Sequence, residues 1–81
     1  MKAYVLIETS AGKTKTVKRA LAKLKAGKCR VISLDADTGP FDYVAVLEGP
    51  TLDDHGQLVT DGIGAIDGVT RTTTCLAVAI G

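Results

Sequence analysis

Few side chains in this 81-residue chain are equipped for chemistry, and they cluster in two segments. The first is Thr38-Gly39-Pro40-Phe41-Asp42, a tight loop that ends in an acid and runs straight into an apolar stretch. Asp42 can pair with a ligand ammonium through a charge-assisted hydrogen bond that fixes the ligand's orientation. It can equally serve as a turn carboxylate that accepts backbone N–H groups. Gly39 brings bare backbone close to a ligand or relaxes the turn, with free N–H groups nearby for a ligand carboxylate. Pro40 stiffens the loop, and Phe41 walls a pocket or packs at a subunit interface. The second segment is Gly68-Val69-Thr70-Arg71-Thr72-Thr73-Thr74. On a strand, Thr72 and Thr74 put their hydroxyls on one face and Thr73 on the other, and threonine is also simply a good strand former. Arg71 can grip a carboxylate bidentately or settle into a salt bridge. These groups suit recognition of a small polar ligand better than bond breaking.

The remaining reactive residues are isolated. His55 sits beside Asp53 and Asp54 at a predicted helix start and reads as exposed, without the nucleophile or positioned partner that a general base needs. Cys29 and Cys75 belong to no C-x-x-C pair, and His55 is the single histidine, so the ligand set of a zinc site is missing. No catalytic residue, metal site or cofactor motif is expected. Two lone thiols fit a reducing compartment. Met1 to Glu8 is too short and too strand-like for a secretory leader, and no apolar run approaches the roughly 20 residues of a membrane span. A cytoplasmic protein without a membrane partner is the expectation.

Composition sets the frame. The chain is 46% hydrophobic and 4% aromatic, so its core must be aliphatic and one folded domain over residues 1–81 is expected. The net charge of +1 gives no global attraction to nucleic acid. The charges are nevertheless segregated: of the 10 basic residues, 8 lie between Lys13 and Arg30, while of the 9 acids, 7 lie between Asp35 and Asp61. A basic helix face can serve nucleic acid, can be an ordinary solvated surface, or can meet acidic faces of neighbouring subunits. No aromatics interleave for base stacking.

These residues need elements to position them. Ala3 to Glu8 is a strand apolar on both faces, with Val5 and Ile7 on one side and Tyr4 and Leu6 on the other. Thr9-Ser10-Ala11-Gly12 is a turn with residues able to cap a helix. From Lys13 the period becomes helical: Val17, Ala20, Leu21 and Leu24 form a stripe, Lys15, Lys18, Arg19, Lys23 and Lys25 lie outside it, and Gly27 stands where a C-cap glycine belongs. Cys29 to Leu34 is a second strand and Phe41 to Glu48 a third, with Tyr43, Ala45 and Leu47 opposite Val44 and Val46. Gly49-Pro50 ends it. Thr51 caps a second helix whose inner face is read as Leu52, Val59, Ile63 and Ile66. Its glycines, Gly56, Gly62 and Gly64, predict local irregularity or close packing. Gly68 stops it, and Val69 to Ile80 is the last strand.

The order βαββαβ predicts an α+β, ferredoxin-like fold: a four-stranded antiparallel sheet, first and third strands central, both helices on one face. The other face then carries apolar side chains into water, which predicts a homodimer, sheet against sheet. Cys29 and Cys75 fall on opposite edges of such a sheet, too far apart to be bridged.

With the segments so placed, the chain resembles the effector-binding (RAM) domain of the Lrp/AsnC family of transcriptional regulators, from Ala3 to Val78. The resemblance rests on Thr38-Gly39-x-Phe41-Asp42-x-Val44 and on Ile66-x-Gly68-Val69-x-Arg71-Thr72-x-Thr74. It implies a dimeric α+β barrel type of domain that dimerises through its sheets and often builds octamers. It also implies a small effector, commonly an amino acid, bound between dimers near the loop joining the second and third strands, with Thr38, Gly39, Pro40, Phe41, Asp42, Thr72 and Thr74 as ligand-binding candidates. Family regulators carry a helix-turn-helix ahead of this module, and the 81 residues show none. A stand-alone form is therefore expected, without direct DNA binding, that senses an effector or co-assembles with a full-length regulator.

Two other classes stay open. A dimeric α+β barrel enzyme would place His, Tyr or Asp in a cavity between sheet and helices, where this sequence reads aliphatic. A metal carrier on the same topology would want C-x-x-C where Thr9-Ser10-Ala11-Gly12 stands.

Overall fold

The computed structural model describes residues 1–24 and 28–80. Strand β1 (Lys2–Thr9) leads through a turn into helix α1 (Thr14–Ala22), followed by β2 (Arg30–Ala36), β3 (Tyr43–Glu48), α2 (Leu52–Gln57) and β4 (Val69–Leu76). The four strands form one antiparallel sheet in the order β2-β3-β1-β4, so the two strands apolar on both faces are the central pair, as their composition demands. This is the ferredoxin-like α+β topology expected from the sequence.

Register fixes the two faces. Ala3 stands opposite Leu47, Val5 opposite Ala45 and Ile7 opposite Tyr43, and this set is buried under the helices. Val17 and Leu21 of α1, with Leu58 and Ile63 beyond α2, close over it to make an aliphatic core. On the helix-free face, Tyr4 lies opposite Val46 and Leu6 opposite Val44. Tyr4 is exposed there and the other three are half-buried.

Helix α1 shows the predicted inner stripe, with Lys15, Lys18, Arg19 and Lys23 exposed outside it. Its start departs from expectation. Lys13 occupies the N-cap and makes no side-chain cap bond, because its ammonium offers no acceptor to the first helical N–H groups; the Thr9 and Ser10 hydroxyls lie upstream of the turn at Gly12, φ +81°. Lys25 and the predicted C-cap Gly27 lie outside the described residues. The β2 edge carries a bulge between Val31 and Ser33.

The second helix is capped as predicted: Thr51 Oγ1 accepts the Asp54 N–H at 3.1 Å. Its continuation is irregular, a π turn over Leu58–Gly62 and then a 3₁₀ turn over Ile63–Ala65. Gly62 accounts for part of this. A Cβ there would stand 3.0 Å from Leu24 Cδ1, so the missing side chain lets Leu24, just past the end of α1, pack closely. The inner stripe is also displaced from the one read in the sequence. Leu52 is 55% exposed, and the buried positions are His55, Leu58 and Ile63. Leu52 is the first helical residue after the Thr51 cap and falls outside, whereas His55, Leu58 and, past the π turn, Ile63 turn inward. Gly68, at φ +102°, ends the segment where expected; a Cβ there would lie 2.6 Å from Lys13 Cβ.

Candidate functional site

The loop joining β2 and β3 is anchored at its base by backbone. Asp37 N–H donates to Asp42 C=O at 2.8 Å, and Asp42 N–H donates to Ile7 C=O at 2.9 Å. These bonds bring the last loop residue against the end of β1. The Asp42 carboxylate completes the anchor: Thr9 N–H donates to its Oδ2 at 2.7 Å. One carboxylate oxygen therefore fills the structural role weighed for Asp42, and the other makes no hydrogen bond among the described residues.

At the tip, Thr38, Gly39 and Pro40 are exposed and Phe41 is half-buried. The Gly39 N–H is not free. It donates to Asp37 Oδ1 at 3.1 Å, closing a short side-chain turn that sequence reasoning missed. The Asp37 two residues before a glycine was the available signal. Beside the loop, Lys18, Leu34, Asp35, Ala36 and Tyr43 line a shallow depression on the helix side of the sheet. The Tyr43 hydroxyl donates to Thr14 C=O at 3.1 Å, tying this wall to the start of α1.

The two threonine candidates stand elsewhere. Thr72 pairs with Ile7 and Thr74 with Val5, on the helix side of β4 as alternation requires. Ile7 also pairs with Tyr43, so Thr72 shares a cross-sheet row with the residue that follows Asp42, two strand spacings away. Thr74 is one row further from the loop. Within one chain, the structure brings together residues 37–42 and the end of β1, but not Thr72 and Thr74. Arg71 Nε lies 3.8 Å from Glu8 Oε2, the salt-bridge fate anticipated for it.

His55 corrects the sequence reading most sharply. It is fully buried rather than exposed, with Nε2 2.9 Å from Met1 O and Nδ1 3.3 Å from Cys29 Sγ. A carbonyl only accepts, so Nε2 carries the proton and Nδ1 accepts from the thiol. Burial pushes the Cys29 thiol above its ordinary value, and the negative charge of Asp54 adds to this. Both effects hold the sulfur protonated. The pair has the order of a nucleophile, a base and an orienting group, yet it is sealed inside and its thiol is kept from ionising. Nearby, the Met1 ammonium bonds Glu48 Oε1 at 2.9 Å and holds that carboxyl below its ordinary value. Among the described residues, no group of three or more His, Cys, Asp or Glu is placed to hold a metal ion. No helix among them is long and apolar enough to cross a membrane.

Comparison with known proteins gives the family and the fold. The profile of the Lrp/AsnC ligand binding domain matches residues 2–80, and the chain belongs to that family. Among solved structures, it is similar to TTHA0845 from Thermus thermophilus, with 31% identity and a TM-score of 0.85 over 99% of this chain and 95% of that one. It is similar in fold to E. coli AsnC, with 18% identity and a TM-score of 0.85 over 98% of this chain and 51% of that one. The transcriptional regulator NMB0573 from Neisseria meningitidis, solved as a complex with L-Met, shows 19% identity and a TM-score of 0.78 over 96% of this chain and 49% of that one. Curated protein sequences give no match.

Proposed function

We propose that residues 1–81 form a single regulatory module that binds a small molecule, most simply an amino acid, and assembles with copies of itself. The observation that carries this reading is the anchored loop. Asp42 is held by its backbone and by one carboxylate oxygen, which leaves the second oxygen able to take a ligand ammonium in a fixed orientation. Thr38, Gly39, Pro40 and Phe41 form the rim. The depression beside it is shallow, and ligand sites favour concavities between packed units. A neighbouring subunit therefore completes the site, and Thr72 and Thr74 enter it from such a neighbour. The L-Met complex of the Neisseria regulator supports the ligand class.

Assembly follows from the helix-free face, where Tyr4, Leu6, Val44 and Val46 form an apolar centre. The first assembly step is a homodimer through this face, with a larger, octamer-like assembly built from dimers. DNA contact, in this reading, belongs to a full-length regulator with which the module co-assembles in the cytoplasm. Catalysis has little support. The buried central-strand positions under the helices are Ala3, Val5, Ile7, Ala45 and Leu47, and the hydroxyl of Tyr43 in the same rows is bonded to backbone.

A thermal-shift screen of the twenty amino acids tests the proposal. A raised melting temperature for a few of them is expected, since a ligand that binds only the folded state stabilises it. No shift with any amino acid would leave an assembly role alone.

A further inference from the structure

We infer that the outer face of the helix layer is a second contact surface between copies of this chain, with the cationic stripe of α1 docking on the acidic stripe of α2 from a neighbour. The two stripes are separate, shallow concavities. Lys15, Lys18, Arg19 and Ala22 line one, at the spacing of a single helix face. Leu52, Asp53, Gly56, Gln57, Thr60 and Asp61 line the other. Each stripe lies opposite the residues its helix buries, Val17 and Leu21 on α1 and His55 and Leu58 along the second helix. Both therefore face outward, with Lys18 at the flank of its stripe beside the β2–β3 depression, and stay available when the helix-free face is occupied.

Three observations select a second copy as the occupant. The first is sign: the α1 stripe contains no acid and the α2 stripe no base. The second is that the chain does not pair them internally. Among the described residues, the ion pairs are Met1–Glu48, Lys13–Asp67 and Arg71–Glu8, so none of Lys15, Lys18, Arg19, Asp53 or Asp61 has a charged partner there. The third is relief: Ala22 on one stripe and Gly56 on the other permit close helix approach, and the exposed Leu52 supplies an apolar knob at the rim. A nucleic acid would meet Lys15 and Lys18 but also the carboxylates on the same helix layer, whereas another copy offers each stripe its complement. The contact joins two different patches, so it repeats from copy to copy and links dimers into larger assemblies.

The test is mass in solution, by sedimentation and light scattering, on the intact chain. At low salt the wild type is expected to exceed a dimer. At about 1 M NaCl, where the Debye length is about 3 Å, it should fall to the dimer. The triple reversal K15E/K18E/R19E and the double reversal D53K/D61K should each remain dimeric at low salt, with unchanged circular dichroism. Combining all five substitutions in one chain swaps the stripes and should restore the larger assembly. A wild-type mass independent of salt, or a mass unmoved by either reversal, overturns the inference. So does a dimer whose triple reversal loses only the binding of a DNA duplex, which would make α1 a polyanion surface. These readouts need no ligand and leave the dimer intact, so failure of this contact is read from mass alone and failure of the effector proposal from the thermal-shift screen of the wild type.

Discussion

Cys29 Sγ and His55 Nδ1 meet at 3.3 Å inside the protein, joining the segment that enters β2 to the helix that follows β3. Gly49 makes the meeting possible, since a Cβ there would stand 3.1 Å from Cys29 Cβ. The opposite side of the imidazole reaches the Met1 carbonyl. One ring thus ties three separate segments. Replacing it with alanine removes both bonds and opens a cavity, while the Met1 carbonyl keeps only the Gly49 N–H, at 3.0 Å. His55→Ala should destabilise the fold by about 3 kcal/mol, from the usual cost of large-to-small core changes and lost buried hydrogen bonds. Urea denaturation at fixed protein concentration measures this. A loss below about 0.5 kcal/mol, the range of ordinary surface substitutions, would remove the imidazole from the structural core.

The same pair makes stability sensitive to alkaline pH. The folded thiol ionises above the ordinary value of 9.0, because burial and then Asp54 oppose the thiolate. The unfolded chain releases this proton first. The contribution of Cys29 is therefore complete below about pH 9 and is lost as pH rises from there through the folded value. Denaturation midpoints of wild type and Cys29→Ala should diverge below that pH and converge above it. Parallel curves across the range would show that the thiol does not ionise differentially.

Cys29 and Cys75 should give two free thiols after aerobic handling. They flank opposite edges of the β2-β3-β1-β4 sheet, and both are unbridged. Three strand spacings of about 4.8 Å exceed the ~7 Å Cα limit for a disulfide. In the native state only Cys75 is exposed and should react rapidly with a thiol reagent; Cys29 should react on unfolding. An intrachain bridge in the monomer band would contradict the strand order.

The helix-free face should be an interface. Val46 and Leu6 both lie on it, flanking the apolar centre of the two middle strands. Val46→Asp or Leu6→Asp would bury an unpaired carboxylate in a dimer, at a cost of several kcal/mol. Light scattering should find monomer or aggregate for each. Two folded variants with the wild-type mass would place the contact elsewhere.

Strand pattern alone carried most of the architecture. Val5, Ile7, Ala45 and Leu47 against Tyr4, Leu6, Val44 and Val46 identify the central strands, because only a strand covered on both faces tolerates apolar residues at successive positions. The second helix was legible at its Thr51 cap and its Gly68 stop but not between them. A π turn adds a residue to the helical repeat, so no fixed period read from Leu52 reaches the buried set His55, Leu58 and Ile63. His55 itself carries no sign of burial in sequence, since its partners are a carbonyl and a thiol that lie 54 and 26 positions away. The site loop was legible as a turn ending in an acid. Its internal bond from Gly39 to Asp37 was not, and neither was the way Thr72 and Thr74 are held apart from it across β1.

Asp42→Asn separates the anchoring and recognition roles of this residue. The Thr9 N–H needs only an acceptor, which the asparagine carbonyl supplies, so the loop base and the fold should survive. A ligand ammonium loses its charged partner. Binding of the best amino acid from the thermal-shift screen should weaken by about 1.5–3 kcal/mol, the scale of a hydrogen bond to a charged group. Asp42→Ala removes the anchor as well and should lower the melting temperature in addition. Calorimetry on the asparagine variant, with its mass checked in parallel, decides between the roles. Unchanged affinity in a folded Asp42→Asn protein of wild-type mass would reduce Asp42 to the acceptor for Thr9 and move the ammonium to another carboxylate. Asp35 is then the next candidate, because it lines the adjacent depression together with Lys18 and Tyr43.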